Sequence, residues 1–159
     1  MTTVLKESAR RVQALLNEAG YAITVVELPD SARTAKEAAD AIGCEAAQIA
    51  KSIIFRLAAS DKPALVVASG TNRIDERKIA ELLGDKPEKA DAAFVRERTG
   101  YVIGGVAPIG HSEPVVTLID EDLLRYETLW AAAGHPKAVF ALTPRQLIEM
   151  TGGQVVAVK

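Results

Sequence analysis

The sequence predicts an α/β fold of α+β character: one domain, spanning residues 1–159, built on a mixed sheet covered by helices. Three observations predict it. Hydrophobic residues make up 48% of the 159, enough to bury one sizeable core. Apolar, β-branched runs are interleaved with segments that carry helix caps and stops. In places two such runs follow each other with only a turn between them, so sequential strands and helix crossovers are both expected.

Val12, Leu15, Leu16 and Ala19 have helical spacing and Gly20 supplies a stop, which predicts an opening helix over residues 3–19. Tyr21 to Leu28 reads as a strand. Thr34-Ala-Lys-Glu37 is a capping-box pattern for a short helix that Gly43 ends, and Glu45 to Ala50 suggest a further helical turn. Ser52 to Leu57 and Ala64 to Ser69 form two strands joined at Asp61-Lys-Pro63. Asp75 caps a helix running to Leu83, and Ala90 to Arg98 predict another that closes at Gly100. Tyr101 to Ile103 and Val115 to Ile119 read as strands on either side of a glycine loop. Glu127 to Ala133 and Ala138 to Leu142 are two more apolar runs. Thr143-Pro144-Arg-Gln146 joins an N-cap, a proline at the first helical position and a capping-box partner, so a last helix reaches Met150. Gln154 to Val158 completes the sheet.

Composition narrows the function. No apolar stretch has membrane-spanning length and the first residues lack a signal-peptide pattern, so a cytoplasmic protein without membrane contact is expected. One cysteine, Cys44, excludes an internal disulfide, and with only His111 and His135 beside it argues against a zinc site. A formal charge of −2 speaks against wrapping long duplex nucleic acid, though Arg73, Arg77 and Lys78, or Arg96 and Arg98, could touch a few phosphates. Acyl-enzyme chemistry finds no support. Ser69-Gly70 has Val67 where a nucleophile elbow needs glycine, and Cys44 has no evident base.

The stretch Thr99 to Ser112, TGYVIGGVAPIGHS, is the richest in possible chemistry. From Gly105 to Ser112 it has the spacing of a phosphate loop except for His111 in the lysine position. The β-branched run after Ser112 removes that reading, because a phosphate loop must open a helix. Two readings remain: a turn connecting two strands, or a loop whose amides face a carbonyl or an oxyanion. Lys51 stands between Gln48-Ile49-Ala50 and Ser52-Ile53-Ile54-Phe55, at a helix-to-strand boundary. There it either donates to a carbonyl or phosphate oxygen or snorkels to water. His135, in Gly134-His135-Pro136, either contacts a substrate or is an exposed loop histidine, and His111 has the same two readings.

Taken together, Thr34 to Ala39, Gln48-Ile-Ala-Lys51-Ser52-Ile-Ile-Phe55, the run from Thr99 to Gly110 and the Gly134-His135 segment resemble the YbaK/EbsC family of aminoacyl-tRNA deacylases. That family is related to the editing domain inserted in bacterial prolyl-tRNA synthetases. The resemblance covers about residues 21–152. It implies a mostly antiparallel, partly barrel-like sheet and hydrolysis of the ester between a wrongly attached small amino acid, of the Ala, Ser, Thr or Cys class, and the terminal adenosine of tRNA. It also implies no metal or other cofactor and no protein nucleophile. The implied partners are the tRNA acceptor end and, as a candidate, a prolyl-tRNA synthetase.

By position, Lys51 matches the family's essential lysine and Ser52 its polar neighbour. Gly104, Gly105, Val106, Ala107 and Pro108, with Ile109 and Gly110 after them, match the loop that holds the aminoacyl end. His135 matches a position that shapes the amino-acid pocket. The implied catalytic groups are then Lys51 and the amides of Gly104 and Gly105. Lys51 acts either on the carbonyl or on the terminal phosphate. Cysteine-specific members carry an acidic residue where the segment after Gly134 is apolar around Val139, which weighs against cysteine. Other readings of the same residues are a module that binds the acceptor end or a synthetase without hydrolysis, and a small-molecule esterase.

Overall fold

Helix α1 (Glu7–Glu18) opens the computed structural model, which describes residues 7–28 and 34–159. The start expected at residue 3 lies outside the described residues. Ala9, Val12 and Leu16 form the buried stripe of α1. Beyond the helix, Ile23 and Val25 are buried in alternation, as a half-buried strand requires. Yet only β1 (Val26–Glu27) pairs as a strand. Gln13 occupies the groups before it: its Nε2 donates to Ile23 O at 2.7 Å and its Oε1 accepts from the Val25 N–H at 2.7 Å. A side chain stands in for a neighbouring strand, and the expected Tyr21–Leu28 strand contracts to two residues.

Helix α2 (Ala35–Ile42) starts where Thr34 Oγ1 accepts from the Glu37 N–H, and it stops at Gly43. A 3-10 turn, Ala46–Gln48, leads into β2 (Ile49–Leu57). The helical turn expected through Ala50 therefore ends early. Lys51 stands third in a nine-residue strand, not at a helix boundary. Strand β3 (Pro63–Ser69) returns antiparallel to it. Helices α3 (Glu76–Leu83) and α4 (Ala92–Thr99) are capped by Asp75 and Asp91. Between them lies β4 (Pro87–Lys89), a strand without apolar alternation that the sequence does not announce.

The strand expected over Tyr101–Ile103 does not form. Tyr101 is buried with its hydroxyl donating to Ile109 O, and Val102 to Gly105 make a reverse turn closed by the Gly105 N–H on Val102 O at 2.9 Å. Residues 100–111 are an irregular loop whose base is closed by the Ser112 N–H on Thr99 O at 3.1 Å, so the glycine segment is no hairpin. Beyond it come β5 (Val116–Asp120), a 3-10 turn over Glu121–Arg125, β6 (Leu129–Ala132), β7 (Ala138–Leu142), α5 (Pro144–Thr151) and β8 (Gln154–Val156). The expected Thr143–Gln146 capping box opens α5.

The eight strands make one mixed sheet in the order β1-β7-β6-β2-β3-β5-β8, with β4 attached to β2. Four pairings are antiparallel and three parallel. The larger core joins α1 to the sheet and takes in Tyr101, Val106 and Ala107 from the glycine loop. A smaller one packs Ile79 of α3 against Val66 and Ala68 of β3. One pairing detail positions the site. Along one edge β2 is bonded to β3 from Ala50 to Arg56, whereas on the other edge β6 covers only Ile49 and Ala50 and β4 only Phe55 to Leu57. Among the described residues no strand pairs with Lys51 to Ile54 on that side.

Candidate active site

The uncovered edge of β2 forms one wall of a cavity of about 830 Å³, lined by every residue from Ile49 to Phe55. Consecutive lining residues mean that the strand is seen edge-on. Since alternate residues of a strand turn their N–H and C=O to alternate sides, two of the four uncovered residues present backbone groups to this space. The lining also takes in Ile103, Gly104 and Val106 from the glycine loop, Pro136 ahead of β7 and Val139 within it. Trp130 of β6 and the start of α2, Thr34 to Lys36, line another side.

Polar groups are few and placed on a mainly apolar surface, as small-molecule sites are built. Lys51 is half-buried. Ser52 Oγ is buried and has no hydrogen-bond partner among the described residues. Lys36 and Lys89 also line the cavity, and Glu76 is the one carboxylate among its described lining residues. The N-terminus of α2 adds the positive end of a helix dipole to the same wall. Three lysines and a helix N-terminus give this mainly apolar space a local excess of positive charge, although Lys36 is also paired with Asp40 at 3.4 Å, and that charge suits a carbonyl or phosphate oxygens.

The glycine loop meets the cavity with its first half only. Gly104 has φ +87°, the left-handed conformation that the third position of such a turn reserves for glycine. Its amide and that of Val106 have no hydrogen-bond partner among the described residues, whereas the Gly105 N–H is committed to Val102 O. Gly105 serves by being small. A Cβ there would stand 2.9 Å from both the Cα and the N of His135, so the two loops touch backbone to backbone.

Of the residues expected at the site, the cavity thus gathers Lys51, Ser52, Gly104 and Val106. It does not gather the others. Ala107 is fully buried in the core beneath the loop, and Pro108, Ile109 and Gly110 face a second, shallower hollow with His111. His135 turns its Nδ1 to the Lys137 N–H at 3.0 Å, and only its neighbour Pro136 lines the cavity. Sequence reasoning had passed over Trp130, Phe55, Lys36 and Lys89. Trp130 left a signal, being the single tryptophan of the chain and set in a run of small residues. The others left none, because their placement depends on how β2 is paired.

Behind the loop, His111 Nε2 lies 2.7 Å from Ala107 O, so the ring N–H donates to that carbonyl. Burial pushes the His111 pKa below its ordinary value, the nearby Arg11 guanidinium adds to this, and the bond to Ala107 opposes both. Burial likewise raises the pKa of Tyr101, against the lowering influence of Arg11.

Comparison with known proteins identifies the architecture. Residues 29–150 match the aminoacyl-tRNA editing domain. The chain is 35% identical to the "Uncharacterized protein YwhH" of Bacillus subtilis (strain 168), over 82% of its own length and 83% of that protein. It is 27% identical to the "Putative Cys-tRNA(Pro)/Cys-tRNA(Cys) deacylase EbsC" of Enterococcus faecalis, over 76% of its length and 74% of that protein. A crystal structure described as "a putative trans-editing enzyme for prolyl tRNA synthetase" superposes with a TM-score of 0.93 at 47% identity, covering 98% of this chain and 99% of that one. The chain belongs to the aminoacyl-tRNA editing domain family.

Proposed function

We propose that this protein hydrolyses, in trans, the ester joining a mischarged small amino acid to the terminal adenosine of a tRNA, with alanine, serine or threonine preferred over cysteine. One observation carries the reading. Lys51, Ser52, Gly104 and Val106 line one cavity whose other lining is largely apolar, the Ser52 hydroxyl being without a partner and the amides of Gly104 and Val106 without a hydrogen bond among the described residues. Such a set of donors suits an ester carbonyl. A water attacks the carbonyl carbon, the amides and the Lys51 ammonium hold the oxyanion that forms, and collapse breaks the bond to the ribose oxygen. That oxygen leaves with a proton supplied through water or the neighbouring ribose hydroxyl. The proposed step draws only on chain groups, substrate and water, and donors placed before the charge develops are the largest source of such rate enhancement.

The preference for small residues follows from the logic of a second sieve. A synthetase pocket discriminates by only about 1–3 kcal/mol per methylene, so slightly smaller amino acids are attached in error and must be removed later. Val106 and Val139, both nearly buried, narrow the cavity with apolar surface. Val139 offers no charge or hydrogen bond to a thiol. A prolyl-tRNA synthetase is the proposed partner whose errors are corrected, and the likeness to a structure described in those terms supports this choice.

The test is release of amino acid from tRNA mischarged with Ala, Ser, Thr or Cys, by the wild type and by Lys51→Ala. Hydrolysis of at least one small aminoacyl ester is expected, falling about 100-fold or more in Lys51→Ala. Tight binding with every ester left intact would mean a non-catalytic acceptor-end module. Wild-type rates in Lys51→Ala would remove the lysine from the mechanism.

A further inference from the structure

The second half of the glycine loop lies outside the cavity, yet its carbonyls are held by side chains. Arg11 Nη2 donates to Gly110 O at 2.9 Å, the Tyr101 hydroxyl donates to Ile109 O, and His111 Nε2 donates to Ala107 O at 2.7 Å. The three donors also touch one another. The Arg11 guanidinium lies 5.6 Å from the centre of the Tyr101 ring, and the Tyr101 and His111 rings meet edge to face with centroids 6.0 Å apart. Tyr101 is 1% exposed, so its hydroxyl has no exchange with water to fall back on. Arg11 comes from α1, ahead of the matched residues 29–150.

We propose that Arg11, Tyr101 and His111 are positioning residues, a clamp on the carbonyls of Ala107, Ile109 and Gly110 that fixes the glycine loop and so aims the Gly104 and Val106 amides into the cavity. None of the three lines that cavity. They act through the loop. Peptide planes are rigid, so three carbonyls pinned on the far side leave the short run from Gly104 to Val106 little freedom to turn its amides elsewhere. The catalytic consequence rests on the deacylase reading above, whereas the mechanical one does not.

Two protected amides report on the loop directly: the Gly105 N–H, which closes the turn, and the Ser112 N–H, which closes the base. Hydrogen exchange at both is compared in the wild type, Tyr101→Phe, Arg11→Met, His111→Leu and His111→Gln, together with exchange in β3 as a measure of global opening. Loss of one clamp bond is expected to speed exchange at Gly105 and Ser112 about fivefold to tenfold. β3 should not change. His111→Gln retains an N–H donor and should stay near the wild type, while His111→Leu should behave as Tyr101→Phe does.

On mischarged tRNA, Tyr101→Phe, Arg11→Met and His111→Leu should each lose about fivefold to tenfold in kcat with KM held within about twofold, the pattern of a lost transition-state contact, while His111→Gln should stay near the wild type. Equal acceleration in β3 and the loop, or no acceleration at all, would overturn the clamp. Faster loop exchange with unchanged kcat would overturn its catalytic role. If the wild type hydrolyses no ester, the deacylase reading fails by itself, and the exchange data still decide whether these side chains hold the loop.

Discussion

Ser52 carries a buried hydroxyl that nothing among the described residues satisfies. An unmet buried hydroxyl costs about 1–3 kcal/mol, so a residue kept in that state for stability alone makes no sense. Ser52→Ala should therefore raise the unfolding free energy by about 1 kcal/mol while lowering kcat/KM for deacylation about tenfold. Denaturant unfolding and single-turnover release measure the two. A destabilised variant with full activity would make the hydroxyl structural. The pair Lys51-Ser52 was legible in the sequence because the two are neighbours in the chain. Their isolation was not, since it depends on β6 and β4 both stopping short of them. Gly105 shows the opposite limit: a glycine within a glycine-rich loop suggests a free amide, and only the turn geometry reveals that Val102 takes it.

Among the elements, caps and stops were the most legible features. Thr34 with Gly43, Asp75 with Gly84, and Thr143 with Gln146 mark helix ends by local hydrogen bonds that need no tertiary partner. Strands were read less well, because pairing is decided far away in the chain. Tyr101 to Ile103 has strand composition, but the Tyr101 hydroxyl finds Ile109 O and the backbone turns at Gly104. Tyr21 to Val25 has strand alternation, but Gln13 satisfies its backbone from α1. That second case predicts a measurable dependence. Gln13→Leu leaves Ile23 O and the Val25 N–H without their bonds and should destabilise the protein by about 1–3 kcal/mol in denaturant unfolding. Exchange at Val25 should rise with it. A change below about 0.5 kcal/mol would mean that water replaces both bonds and that β1 stands without this support.

For the whole molecule, the decisive property is a contrast between total charge and local charge. The chain is formally −2, yet Lys36, Lys51 and Lys89 share one cavity with a single described carboxylate, Glu76. Composition alone argues against a long nucleic-acid footprint, and it could not place these lysines together. They come from α2, β2 and β4, which tertiary structure brings to one cavity. A single-stranded acceptor end gripped here would meet about three cations, with Lys36 exchanging its Asp40 partner for a phosphate. Since each neutralised phosphate of a single strand contributes about 0.7 to the salt slope, log KM for mischarged tRNA should rise with log salt with a slope of about 2. Lys36→Ala and Lys89→Ala should each lower that slope by about 0.7, a change read from KM at four or five salt concentrations. A slope of about 5 or more would place most tRNA contacts elsewhere on the surface. A flat response in the wild type would remove these lysines from phosphate binding and leave the cavity to the ester and its nucleoside.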